Sequence, residues 1–289
     1  MNELALIASI RKWCKAASTP GLIASIGDDA AILRPRRNHD LLITTDFLIE
    51  DVHFTRGSLS PADTGRKALA RALSDIAAMG GAPTYALVSL ALAPWTTAAF
   101  VRAFYRGLNQ LAGLHRVSII GGDLSKTDKF TADIVVLGDV PRGLALRRDT
   151  ARPGDILYVS GPLGRAASKA YKDVPRPRLD LAPRLLRKAS ACIDLSDGLA
   201  LDLHRLCLAS GLSADLDGPL PVSPGATLEH ALFGGEDYEL LCTLPPNVRP
   251  PTSLVRVGLT LAGRPGLVRF AGRLLKVRGW DPLRNPALR

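Results

Sequence analysis

The sequence predicts an α/β (α+β) fold in two domains, and three observations carry that expectation. Its 289 residues exceed the size at which one hydrophobic core usually keeps growing. Short apolar, β-branched runs alternate with longer segments whose apolar residues recur at helical spacing. A turn signal, Arg152-Pro153-Gly154-Asp155, opens a second such series. The boundary is therefore expected near 141–150, giving an N-terminal domain over 1–140 and a C-terminal domain over 141–289.

The elements follow in order. Residues 41–45 are apolar and β-branched, end on Asp46, and read as a strand. Ser60-Pro61-Ala62-Asp63 is a capping box with proline at the first helical position. It opens a helix in which Ala68, Leu69, Ala72, Leu73, Ile76 and Ala77 share a face, and Gly80-Gly81 ends it. Residues 86–93 read as a buried strand, 97–113 as an amphipathic helix, and 117–120 and 133–140 as strands. In the second half, 156–160 is another apolar run, and the proline-rich, basic stretch 174–183 is a loop or linker. Ser196 precedes a helix with Leu199, Leu203, Leu206 and Cys207 at apolar positions. From Val255 short apolar runs alternate with glycines, and no repeat of solenoid period is present.

Composition narrows the function classes. An apolar share of 47% suits a globular chain, and only 5% aromatics leaves Ala, Leu and Val to do most of the packing. No uncharged apolar run reaches the roughly 18 residues of a membrane span. The start, MNELALIASIRKWCK, has Glu3 ahead of its apolar stretch and no small-residue cleavage site, unlike a signal peptide. Cys14, Cys192, Cys207 and Cys242 form no CxxC and no zinc spacing, so they read as reduced, buried thiols of a cytoplasmic protein. The net charge of +10 raises nucleic acid as a partner. Its distribution argues against that class, because no basic run is interleaved with aromatics. Basic residues gather from Arg249 onward and between Arg142 and Lys188, whereas Gly27 to Asp51 concentrates carboxylates.

The usual nucleotide signatures fail: GxxxxGK[ST], GxGxxG, HRD and DFG are all missing. What recurs instead is an acidic residue beside glycine or at the end of an element. The set is Ile26-Gly27-Asp28-Asp29, Thr44-Thr45-Asp46, Leu73-Ser74-Asp75, Gly121-Gly122-Asp123, Asp194-Leu195-Ser196-Asp197-Gly198 and Gly234-Gly235-Glu236-Asp237-Tyr238. Magnesium takes hard oxygen ligands and sits between one or two carboxylates and substrate phosphates, and glycine lets the backbone approach a phosphate. Singly, each motif has an ordinary structural explanation. Asp-Asp after glycine makes turns, Asp-Leu-Ser-Asp caps helices, and Asp75 follows Lys67 and Arg71 at i+4 steps, as in a salt-bridged helix face.

As an ordered set, GDDAAIL, TTDFLIEDVHF, KALARALSDIAAMGGAP, IIGGD, RPGD, IDLSDGLALDL and GGEDYELL resemble the thiamine-monophosphate kinases, from about Ile26 to Leu241. The wider superfamily includes aminoimidazole ribonucleotide synthetase and selenophosphate synthetase. The resemblance implies a two-domain aminoimidazole ribonucleotide synthetase-like fold and a homodimer formed through the N-terminal sheets. It implies several magnesium ions held by Asp29, Thr44, Thr45, Asp46, Asp75, Asp123, Asp194 and Asp197. ATP would meet Tyr105, Gly122, Asp123, Arg148 and Ser196, and thiamine monophosphate would meet His53, Glu236 and Trp280. An indole suits the cationic thiazolium ring. The implied activity is transfer of the ATP γ-phosphoryl to thiamine monophosphate, the last step of thiamine diphosphate biosynthesis.

That chemistry suits the residues. The acceptor phosphate is largely dianionic at neutral pH, its second pKa being about 6, so no side-chain base is required. Repulsion between two anions is the obstacle, about 4 kcal/mol per charge pair at about 4 Å and an effective dielectric of 20. Magnesium clusters and Arg148 would offset it. The segment between Gly164 and Ser190 is short for the family, and Asp-Pro-Leu follows Trp280 where a histidine and an aromatic are usual. The rivals fit less well. A selenophosphate synthetase needs a reactive cysteine near a glycine-rich loop, and Cys14 lies in a helical-looking stretch. A hydrogenase-maturation dehydratase needs a C-terminal cysteine, and this sequence ends in Arg289. A basic nucleic-acid-binding protein would show salt-sensitive DNA binding without ATP hydrolysis.

Overall fold

A computed structural model describes residues 3–14, 20–26 and 30–280. Chain contacts divide it into two units, one from the N-terminus to residue 143 without 77–81 but with 172–174, the other holding the rest.

The first unit contains helix α1 (Glu3–Trp13), the short strands β1 (Leu22–Ala24) and β2 (Ile32–Leu33), strand β3 (His39–Ile49) and helix α2 (Pro61–Ala78), whose last two residues group with the second unit. Strand β4 (Ala82–Leu92), helix α3 (Ala98–Leu114) and strands β5 (Ser118–Gly121), β6 (Leu124–Lys126) and β7 (Thr131–Pro141) follow. The main sheet has the order β3-β7-β4-β5, with β6 on β4. β3 and β7 are antiparallel, Thr44 opposite Val136 and Asp46 opposite Ile134. One face is dry: Leu48, Ala132, Ile134 and Val136 are fully buried. Alternate residues of β3, Leu41, Ile43 and Phe47, are exposed on the other face.

Local chemistry explains the helices. The Asp63 N–H donates to Ser60 Oγ at 3.1 Å, and that hydroxyl donates to Asp63 Oδ2 at 2.7 Å, closing the expected cap of α2. Thr97 caps α3 through the Phe100 N–H. The two helices touch backbone to backbone at Gly65 and Gly107. A Cβ on Gly65 would lie 2.1 Å from the Phe104 carbonyl oxygen, and one on Gly107 would lie 1.8 Å from that of Ala62.

The second unit contains β8 (Ile156–Val159), α4 (Arg165–Ser168), α5 (Ala182–Leu185), β9 (Ala191–Asp194), α6 (Leu199–Ser210), β10 (Ser213–Leu216) and α7 (Leu228–Phe233). It closes with β11 (Leu240–Leu244), β12 (Val255–Leu261), β13 (Val268–Phe270) and β14 (Arg273–Leu274). The sheet order is β14-β13-β10-β12-β8-β11-β9. Only the β10–β13 pair is parallel among the neighbours. Alternation along the strands feeds two cores. Leu157, Val159, Ile193 and Leu241 pack with Leu199, Leu203 and Leu206 of α6, whereas Cys192, Leu240, Cys242 and Leu244 pack with Leu181 and Leu185. All four cysteines are free and buried, and among the described residues no helix is long and apolar enough to cross a membrane.

Candidate active site

In the first unit the acidic residues form a ladder between β3 and α2. Positions 67, 71 and 75 lie one helical turn apart on one face, and each meets a partner from the strand side. Thr44 Oγ1 donates to Asp75 Oδ2 at 2.6 Å. Arg71 grips Asp46 with two bonds, Nε to Oδ2 at 3.2 Å and Nη2 to Oδ1 at 2.9 Å. Lys67, 1% exposed, donates from Nζ to the His53 carbonyl at 3.0 Å. The i+4 row is thus tied across to the strand, beyond the helix-surface pairing that its spacing predicts.

Strand alternation separates two neighbouring hydroxyls. Thr44 and Asp46 turn toward α2, so Thr45 points to the opposite face, where its hydroxyl reaches Asp133 Oδ1 at 2.5 Å. The Thr45 side chain therefore does not stand with Thr44 and Asp46. Beyond β3 the chain turns at Asp51, which has φ +63°. There the Ile49 N–H donates to His53 Nδ1 at 3.0 Å, so Nδ1 is the acceptor and the neutral ring carries its proton on Nε2.

The other expected residues of this unit are scattered in exposure. Asp123 is exposed, its carbonyl accepting the Leu90 N–H. Gly122 beside it has φ +153°, and a Cβ there would meet the Val88 carbonyl oxygen at 1.9 Å. Tyr105 is 2% exposed and packs on Trp13 and Phe104 with centroids 6.1 and 5.9 Å away. Burial pushes its hydroxyl pKa upward. Helix α3 turns the ring into the core. Asp29 lies outside the described residues.

In the second unit, Asp194 ends β9 and is 6% exposed. The turn after it, Leu195 to Gly198, brings Asp197 to the start of α6, and Gly198 takes φ +108° against Phe233, which glycine alone tolerates well. Asp197 is held from several sides. Its N–H donates to Asp202 Oδ2 at 2.9 Å, its carboxylate pairs with Arg205, and its carbonyl accepts the Trp280 N–H at 3.0 Å. Arg205 also reaches Asp202 Oδ1 at 2.9 Å. Asp202 is 1% exposed, and burial, reinforced by Asp197, raises its pKa to about 7.

Glu236 is 5% exposed with φ +66°, and its N–H donates to the Ser196 carbonyl at 2.8 Å. This bond brings Ser196 and Glu236 together. Arg148 is exposed, its carbonyl accepting Ser210 Oγ. Trp280 is half-buried beside the Asp197 turn, and Arg278 anchors the segment before it, 4.2 Å over the Phe233 ring and 3.2 Å from Glu229.

Sequence reasoning passed over Asp202, Arg205 and the Arg178–Glu239 pair. The i+3 step from Asp202 to Arg205 was a visible signal. Arg178, from the proline-rich loop, grips Glu239 through Nε at 2.7 Å and a second bond. Nothing local links residues 61 apart.

Among the described residues no three His, Cys, Asp or Glu side chains gather as a metal cage. The donors that do meet, the Thr44 hydroxyl and the Asp75 carboxylate, are hard oxygens. Such a set fits magnesium, which needs few protein ligands when phosphates supply the others.

A family model described as AIR synthase related protein, N-terminal domain, matches residues 27–140. The thiamine-monophosphate kinase of Bacillus subtilis (strain 168) is 36% identical over 84% of this chain and 84% of its own. The crystal structure of the thiamine-monophosphate kinase from Stenotrophomonas maltophilia K279a superposes with a TM-score of 0.83 at 32% identity, covering 95% of this chain and 98% of that one. AaThiL complexed with AMPPCP and TMP superposes with a TM-score of 0.79 at 29% identity, covering 96% of each chain. With 36% identity to the Bacillus subtilis enzyme over more than four fifths of both lengths, and the ordered acidic motifs in place, the chain belongs to the thiamine-monophosphate kinase family.

Proposed function

We propose that the chain transfers the γ-phosphoryl of ATP onto the phosphate of thiamine monophosphate, giving thiamine diphosphate and ADP. The observation that carries this reading is the relative solved with AMPPCP and TMP, which covers 96% of the chain. We assign dimerisation and the first-unit ATP and magnesium contacts to a domain over 1–140, with a C-terminal domain over 141–289.

The residues that would hold magnesium are Thr44, Asp46, Asp75 and Asp123 in the first unit and Asp194 and Asp197 in the second, with Asp29 from the GDD motif. Bound there, magnesium supplies charge compensation for two anionic phosphates. Arg71 and Arg205 hold the carboxylates of Asp46 and Asp197 in place. No side chain is needed to take a proton from the acceptor, because its phosphate is largely dianionic above about pH 6. Gly122, Arg148 and Ser196 would contact ATP, and His53, Glu236 and Trp280 the acceptor. With Nδ1 fixed as an acceptor, His53 would offer its Nε2 proton to the substrate.

A homodimer is supported by the apolar row on edge strand β3, where Leu41, Ile43 and Phe47 are more than half exposed. Four reduced, buried thiols suit a cytoplasmic location. The test is product analysis after incubation with ATP, magnesium and thiamine monophosphate. Thiamine diphosphate is expected, and ADP with inorganic phosphate alone would refute the reading.

A further inference from the structure

Glu236 lies between β11 and α7 in a loop with neither helix nor strand, and its backbone is costly. Glu236 and Tyr238 both take left-handed φ values, +66° and +50°. Such conformations cost on the order of 1 kcal/mol each and persist only where surroundings hold them. Two main-chain bonds do part of this, Glu236 N–H to Ser196 and Tyr238 N–H to Leu195.

The residue between them makes a different connection. Asp237 Oδ2 accepts the Gly164 N–H at 2.6 Å, and Oδ1 accepts the Ala166 N–H at 3.2 Å. One carboxylate thereby bolts the loop to the start of α4, 71 and 73 residues away. Around it stand the Arg165 N–H, which also lowers its pKa, and the Glu239 carboxylate, which raises it. Glu239 is itself held by Arg178 and Ser160. His230, packed against Gly164, is engaged in a capping box with Thr227. Burial is the largest influence and lifts the Asp237 carboxyl to about 6.

We propose that Asp237 is a positioning residue whose carboxylate clamps the Gly164–Ala166 backbone, keeps Glu236 in its left-handed conformation and so sets the affinity for the acceptor. This rests on the reading of Glu236 as an acceptor contact. Protonation neutralises both acceptor oxygens and turns one into a hydroxyl, so acceptor binding weakens as pH falls through about 6.

The test has two arms. In the 15N-labelled wild-type protein, the Gly164 amide resonance should titrate with a midpoint near 6, and in Asp237→Asn that midpoint should vanish. In kinetics at pH 8 with saturating ATP and magnesium, Asp237→Asn should raise KM for thiamine monophosphate about tenfold, the low end for losing a charge-assisted hydrogen bond. Its kcat should stay within about twofold, since the clamp acts on binding rather than on the transition state alone. The ratio of variant to wild-type KM should fall toward one below pH 6, which separates Asp237 from the acceptor phosphate, whose own titration affects both proteins alike. An unchanged KM, or a Gly164 amide without a midpoint, overturns the clamp. The wild-type titration decides this even if the variant fails to fold. Glu236→Gln with an unchanged KM would sink the acceptor-contact reading separately.

Discussion

Replacing Asp202 by asparagine removes a carboxyl that is 1% exposed and lifted from 3.8 to about 7, by burial first and by Asp197 second. Because the folded value is the higher one, the folded protein keeps a proton that the unfolded chain has released between about pH 4 and 7. The contribution to stability is therefore present in full below pH 4 and is lost as pH rises through 7. Between pH 5 and 8 the loss comes to about 2 to 3 kcal/mol. Urea denaturation of wild type and Asp202→Asn at both pH values isolates this one group, since all other titrations are shared. The wild type should lose about 2 to 3 kcal/mol relative to the variant on going from pH 5 to 8. A difference that stays constant, or that moves in favour of the wild type at pH 8, would mean that Arg205 holds Asp202 ionised, and the reasoning would fail.

Further outcomes follow from the first unit. Asp75→Asn should lower kcat on the order of 100-fold or more while the circular dichroism spectrum stays that of the wild type. Near-wild-type turnover would remove Asp75 from the metal set. Thr44→Ala should weaken use of magnesium-ATP, and Thr45→Ala should not, since alternation puts the two hydroxyls on opposite faces; equal loss in both, read as KM for magnesium-ATP, would contradict the ladder. Ile43→Asp, at a position 64% exposed, should shift the protein from dimer to monomer in sedimentation velocity. A sedimentation coefficient unchanged from wild type would place any dimer contact elsewhere.

Much of the first unit was legible before the structure. The Ser60–Asp63 cap, the helical spacing of Leu69, Leu73 and Ile76 and the strand ending on Asp46 depend on neighbours in sequence, and such signals are local. The second sheet was less legible because most of its strands run five residues or fewer and pair out of order, with β11 between β8 and β9. The site divides the same way. Asp46, Asp75, Asp197 and Glu236 stood out as acids beside glycines or at element ends, and each is held by specific partners. What sequence could not supply was which face each residue takes and which distant group restrains it. Thr45 followed Thr44 in the motif but faces away, and Tyr105 was turned inward by α3. Arg178 reached Glu239 from a loop whose composition suggested only a linker.

The central claim is that the γ-phosphoryl passes directly from ATP to an acceptor that is already a phosphate. Incubation with γ-32P-labelled ATP, magnesium and thiamine monophosphate, followed by separation of products, tests it. The label should appear in the terminal phosphate of thiamine diphosphate, one for each ADP formed. Label recovered as inorganic phosphate, with no labelled thiamine diphosphate, would contradict the account.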